Sequence, residues 1–119
     1  YFQGKISHSP LKISLPSSEG YIFLDSNDIL RCEASGSYSK VYLKNGERIL
    51  ISMHLGACEE RLPGNVFFRV HQSHIVNLNY IKKYYKGRGG RLELTDGSIV
   101  EVAVSKKERF LDLMKQKHI

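Results

Sequence analysis

Two histidines, His71 and His74, bracket Gln72 and Ser73 in the one strongly polar knot of an otherwise apolar run. Their spacing of three could suggest a metal pair. The knot reads as a loop, however, and no cysteine or carboxylate stands in ligand spacing with it. Gly87, Gly89 and Gly90 lack the Lys-Ser/Thr and the following helix that a phosphate cradle requires. No serine, histidine and acid can be grouped for nucleophilic catalysis. No catalytic residue, metal or cofactor is therefore expected. What remains is binding chemistry. Basic side chains gather in three places: Arg69 and His71 beside the knot; Lys82, Lys83, Lys86, Arg88 and Arg91 among Tyr80, Tyr84 and Tyr85; and Lys106, Lys107 and Arg109 where a last helix begins. Lysines in a first helical turn oppose the helix dipole by ~0.3–1 kcal/mol each. A phosphate backbone would reverse that cost, because helix N-termini favour anions.

The bulk numbers agree. The chain has 119 residues, with 18 Lys and Arg against 12 Asp and Glu, a net charge of +6 and a pI near 9.4. Such a balance fits an acidic partner: nucleic acid, an anionic membrane surface or an acidic protein. Tyrosines among lysines could stack on single-stranded bases, although Tyr42, Tyr84 and Tyr85 also suit strands by propensity alone. Cys32 and Cys58 are too few for a disulfide framework and sit in apolar patterns, which points to buried thiols and a reducing, cytoplasmic setting. No apolar run nears the ~20 residues of a membrane span, so no membrane contact is expected from this segment.

The elements that must position these residues are mostly strands. Tyr1 to Gly4 reads as a purification-tag remnant, residues 5–10 as a flexible lead-in, and 11–117 as one domain. Leu11, Ile13 and Leu15 alternate up to Pro16. Tyr21 to Leu24 pairs back, and Asp25 to Asp28 starts a single helical turn. Ile29 to Ala34 is a strand with Leu30, Cys32 and Ala34 inward. Lys40 to Leu43 and Arg48 to Ile51 flank Asn45-Gly46, the strongest hairpin signal. Ser52 caps a short helix to about Leu62, burying Leu55, Cys58 and Leu62 and stopped by Pro63-Gly64. Glu59 and Glu60 stand late in that helix, against its dipole.

From Val66 the alternation puts Val66, Phe68 and Val70 on one face and Phe67 and Arg69 on the other. Apolar residues return after the knot at Ile75, Val76, Leu78 and Ile81. Ile81 to Tyr85 and Arg91 to Leu94 pair across a flexible basic loop, residues 86–90. Asp96-Gly97 turns the chain into a last strand, Ile99 to Val104. Ser105 and Glu108 fit a capping box for a helix whose apolar side is Phe110, Leu111, Leu113 and Met114. About nine strands and two helices this short must be layered to bury their apolar faces.

The run from Val66 to Ile81 resembles the central segment of the LytTR family of bacterial DNA-binding domains, roughly F-x-R-V-H-x-S-x-x-V-N-x-x-x-I. Phe67, Arg69, Val70, His71, Ser73, Val76, Asn77 and Ile81 all match. Glu33 to Lys40 is similar to that family's early loop, and Asn45-Gly46, Asp96-Gly97 and Val104 to Lys106 follow in its order, so the likeness spans residues 11 to 117. It implies a mostly β fold, an elongated stack of small antiparallel sheets with two or three short helices. It also implies a transcription-regulator output domain that inserts loops into successive major grooves of double-stranded DNA with tandem half-sites, self-associates on DNA, and is joined to a receiver or sensor domain. Carried over residue by residue, the contacts would be Ser37, Tyr38, Ser39 and Lys40; Arg69, His71, Gln72 and Ser73; and Ser105, Lys106 and Lys107. Asn77 of the motif and Arg91 of the second basic group complete the candidates. Gln72 stands where the family often has a basic residue; a glutamine suits an adenine edge. The other readings are a basic β module for RNA or single strands, through Tyr84, Tyr85 and Lys82 to Arg91, and a module for an acidic protein.

Overall fold

A computed structural model describes residues 12–117. The tag remnant, the lead-in and Leu11 lie outside the described residues. Ten strands form three antiparallel sheets, with two α-helices and three 3-10 turns among the described residues.

Strands β1 (Lys12–Ser17) and β2 (Gly20–Asp25) make the expected hairpin. Its inner face buries Ile13 and Leu15 and packs Ile22 and Leu24. Pro16 does not end β1. Its carbonyl accepts from the Ser52 N–H, so its nitrogen faces away from β2, where no ladder donor is missed. A 3-10 turn at Ser26–Asp28 leads into β3 (Ile29–Ser35), β4 (Tyr38–Leu43) and β5 (Arg48–Ile51). Between β4 and β5, Gly46 holds φ 94° and Asn45 Oδ1 accepts from the Glu47 N–H, the turn that Asn-Gly favours.

Helix α1 (Leu55–Arg61) starts later than Ser52. The Ser52 N–H is committed to Pro16, and the Met53 carbonyl accepts from Ser39 Oγ at 2.8 Å, so both residues stay outside the helix. His54 caps instead, its Nδ1 accepting from Ala57 N at 3.2 Å. Leu55, Cys58 and Leu62 are buried as expected. Both thiols are buried. Burial pushes the Cys32 thiol far up, with Cys58 adding to it; burial also raises Cys58, against opposing contributions from Ser39 and Arg61.

The polar knot is a two-residue turn between β6 (Phe67–His71) and β7 (His74–Asn77), the strand that the sequence pattern did not separate. The five-stranded sheet runs β5-β4-β3-β7-β6. Its last two strands divide the molecule. Phe67 and Ile75 enter one apolar cluster with α1 and the β1–β2 hairpin, while Val70 and Val76 enter a second. Val66 packs on the first cluster rather than beside Phe68, because it precedes the strand in a turn. The second cluster is roofed by β8 (Ile81–Tyr85), β9 (Arg91–Leu94) and β10 (Ile99–Glu101) and by helix α2 (Lys107–Lys117), through Phe110, Leu111 and Met114. Strand β10 stops at Glu101, short of Val104. The Ala103 N–H turns to the Val70 carbonyl at 2.8 Å, and a 3-10 turn, Val104–Lys106, precedes α2. Ser105, expected to cap the last helix, lies inside this 3-10 turn, and the helix itself begins at Lys107. The 86–90 loop is not uniformly loose. Gly89 is buried under Val102, whose carbonyl an added Cβ would overlap, and Gly90 (φ 94°) lies beneath the Tyr84 ring.

Candidate nucleic-acid interface

Strand β3 lies between β4 and β7 and runs antiparallel to both. The β3–β4 turn, Gly36-Ser37, and the β6–β7 turn, Gln72-Ser73, must therefore leave the sheet at the same end. The Ala34 N–H donates to the Ser73 carbonyl at 2.9 Å and ties them. Gly36 takes φ 63°, a left-handed conformation that a β-branched residue would strain. The Ala103 bond to Val70 brings the third segment alongside β6.

A cleft there is lined by Glu59, Arg69, His71, Gln72, Ala103, Ser105 and Lys106. Arg69 is anchored inside it: Nη1 lies 3.2 Å from Glu59 Oε1 on α1, and Nη2 donates to the Gln72 carbonyl at 2.7 Å. His71 Nδ1 accepts from the Ser73 N–H at 3.1 Å, which leaves the proton of the neutral ring on Nε2. The Gln72 side chain is exposed at the apex. Ser105 is exposed, and Lys106 places Nζ 5.9 Å from the centre of the Phe68 ring, at the edge of cation–π range. A neighbouring cleft adds Arg109 to Arg69, Lys106 and Glu59.

Behind the turn stands His74, its ring 5.5 Å from that of His71 and its backbone paired with Glu33. Burial pushes its pKa below the ordinary 6.5. Glu33 and Glu101 pull upward, while the charges of His71 and Arg31 push further down. Among the described residues no three His, Cys, Asp or Glu side chains group as a metal site would require.

The structure does not gather every expected contact. Ser37 and Tyr38 are exposed at the β3–β4 turn, but Lys40 lies two residues along β4, half-buried and paired with Glu33. Ser39 is fully buried, its hydroxyl spent on the Met53 carbonyl. Asn77 is also fully buried. Its Nδ2 donates to the carbonyls of Ile29 (2.9 Å) and Ser26 (3.4 Å), and its Oδ1 accepts from the Asn79 N–H. These two motif residues hold the fold and present nothing to a ligand. Lys107 points to the glycine loop, with Nζ 3.3 Å from the Gly87 carbonyl. Arg91 lines a separate depression with residues 86–90, Glu101 and Val102.

The tyrosines of the stacking alternative are engaged within the protein, Tyr84 by packing and both by hydrogen bonds, although Tyr85 stays partly exposed with Lys83 and Arg91 over its ring. Tyr84 packs on Phe110 and donates to the Gly89 carbonyl, and Tyr85 donates to Glu93, a bond that raises its pKa. Glu59 is the residue that sequence reasoning missed. Its unfavourable place late in a helix was the available signal, and nothing local joined it to Arg69.

Comparison with known proteins agrees with this geometry. A family model described as the LytTr DNA-binding domain matches residues 19–115. The heme-containing CO-sensing transcriptional regulator RcoM 2 of Paraburkholderia xenovorans is 34% identical over 96 residues, covering 80% of this chain and 36% of that protein. The sensory transduction protein LytT of Oceanobacillus iheyensis is 28% identical over 93 residues, covering 78% and 38%. The chain thus spans well under half the length of these relatives. Among solved structures, the LytTr DNA-binding domain of a putative methyl-accepting/DNA response regulator from Bacillus cereus superposes with a TM-score of 0.74 at 27% identity, covering 87% of this chain and 95% of that one. With the motif from Phe67 to Ile81 folded as a hairpin between two cores, and a family match across both of them, the chain belongs to the LytTR DNA-binding domain family.

Proposed function

We propose that this domain binds double-stranded DNA sequence-specifically, by placing the β3–β4 turn, the β6–β7 turn and the Ala103–Lys106 segment against the major groove. The observation that carries the reading is the convergence of Arg69, His71, Gln72, Ser105 and Lys106 on one cleft beside two exposed turns. The turns are held by backbone bonds and can be presented without reordering, which keeps the entropic cost of binding low. Gln72 reads a base edge, and Lys106 and Arg109 neutralise phosphates. Ser37 and Tyr38 add contacts from the neighbouring turn. The whole protein acts as a cytoplasmic transcription regulator in which a sensor or receiver domain controls this one, and two copies occupy tandem half-sites, in keeping with the regulators that it resembles.

The test is selection of duplexes from a random pool, followed by titration of the selected duplex at several salt concentrations. A preferred sequence should emerge and outcompete single strands, and affinity should fall steeply with salt through counterion release. Equal binding of single strands would instead support the RNA or single-strand reading, and indifference to all nucleic acid would point to an acidic protein partner.

A further inference from the structure

Glu59 contacts no exposed turn, yet it ends a chain of bonds that begins at one. Its carboxylate receives Arg69 Nη1 at 3.2 Å, and the other arm of the same guanidinium donates to the Gln72 carbonyl at 2.7 Å. The guanidinium is planar and rigid, so fixing one arm fixes the direction of the other. Arg69 is three-quarters covered, and its Nε is buried without a partner. Its Nη1 also lies over the first turn of α1, 3.6 Å from where a side chain on Gly56 would begin. The helix is itself pinned in the core by Leu55, Cys58 and Leu62. Arg69 thus bridges a fixed helix to the apex of the turn and is not a free cation.

We propose that Glu59 is a positioning residue for the DNA-reading turn: through Arg69 it sets the Gln72 carbonyl and hence the direction in which the Gln72 side chain leaves the protein. This rests on the reading of that turn as a base-reading element. The competing role for a carboxylate in this basic cleft is a charge that merely repels DNA, and the two roles differ in every readout. Removing a repelling charge strengthens binding to all duplexes. Removing a brace weakens binding to the preferred duplex and flattens the choice among bases.

The experiment compares wild type, Glu59→Ala and Glu59→Gln on the selected duplex and its single-base variants, at two salt concentrations. Glu59 is half-exposed on a helix, where alanine is well tolerated, and thermal melting checks each fold. Glu59→Ala should bind the preferred duplex about tenfold more weakly, the scale of one charge-assisted hydrogen bond. It should lose discrimination at one base-pair position and keep the salt slope. Glu59→Gln retains an acceptor oxygen without the charge and should restore most of the discrimination. Stronger binding of both variants to every duplex, or no change in either, overturns the proposal. If the wild type binds no duplex, the interface reading fails, and the brace is judged in the free protein by amide exchange. The Ser73 N–H should exchange about tenfold faster in Glu59→Ala, and an unchanged rate overturns the brace as well.

Discussion

Neighbouring side chains in the cleft carry separable roles. Gln72 stands exposed on a turn whose carbonyl is held, so its amide can offer donor and acceptor together to the adenine N6 and N7 pair. Gln72→Ala should cost ~1–3 kcal/mol on the preferred duplex and relax preference at one position. Lys106→Ala should weaken all duplexes alike and lower the salt slope by about one unit. Titrating each variant on single-base variants at two salt concentrations separates them, and uniform weakening by Gln72→Ala would remove it from base reading. His74 predicts a pH dependence. Its folded-state pKa lies below 6.5, so on acidification the unfolded chain takes up a proton before the folded one does. Stability should therefore fall as pH drops through 6.5 and level off below the folded value. Urea midpoints at about pH 7.5 and about pH 5.5 should differ less in His74→Gln than in wild type. The neighbours Glu33, Glu101, His71 and Arg31 remain in both proteins, so the change reports His74 together with its coupling to them.

At the scale of elements, the two buried motif polars act as joints. Asn77 ties β7 to the start of the Ser26–Asp28 turn and to the start of β3, and caps the 3-10 turn Leu78–Tyr80. Asn77→Ala would leave the Ile29 carbonyl buried without that donor, at ~1–3 kcal/mol or more. It should lower the urea midpoint. Binding to duplex, measured well below the unfolding transition, should keep its base preference. Ser39→Ala, which frees the Met53 carbonyl, should behave the same way, and a change of preferred sequence in either would return that residue to the interface. These two residues show where the motif misleads. The resemblance implied DNA contacts; the fold puts both side chains inside.

Over the whole molecule, two apolar clusters share one septum, β6 and β7, and the turn between them is the septum's tip. Phe110 is the largest fully buried side chain of the second cluster and touches both Phe68 and Tyr84. Phe110→Ala should destabilise by ~3–5 kcal/mol through its cavity. Because Phe68 sits under Lys106, the same variant should also loosen the Ala103–Lys106 segment. Hydrogen exchange across Val102 to Arg109 would show that loosening, and protection equal to wild type would uncouple that segment from the core.

Much of this architecture is local in origin and so was legible residue by residue. Alternation defined the strands, Asn45-Gly46 and Asp96-Gly97 the hairpins, and Leu55, Cys58 and Leu62 the buried side of α1, because a two- or 3.6-residue period needs no knowledge of distant chain. The motif from Phe67 to Ile81 carried the family resemblance because its residues are contiguous in the chain. What only the tertiary structure decided are the outcomes that depend on which distant group arrives. Ser52 did not cap α1, because bonds to Pro16 and Ser39 hold Ser52 and Met53 outside the helix. Strand β10 ended early, and Ala103 bonds to Val70 on β6 instead. Lys107 and Arg91 turned away from the cleft, and Ser39 and Asn77 went inside. Glu59 and Arg69 are ten positions apart on different elements, and no period or propensity links them. A hydrogen bond between a helix and a strand exists only once packing has set both in place, and this one ties the β6–β7 turn to α1 through Arg69.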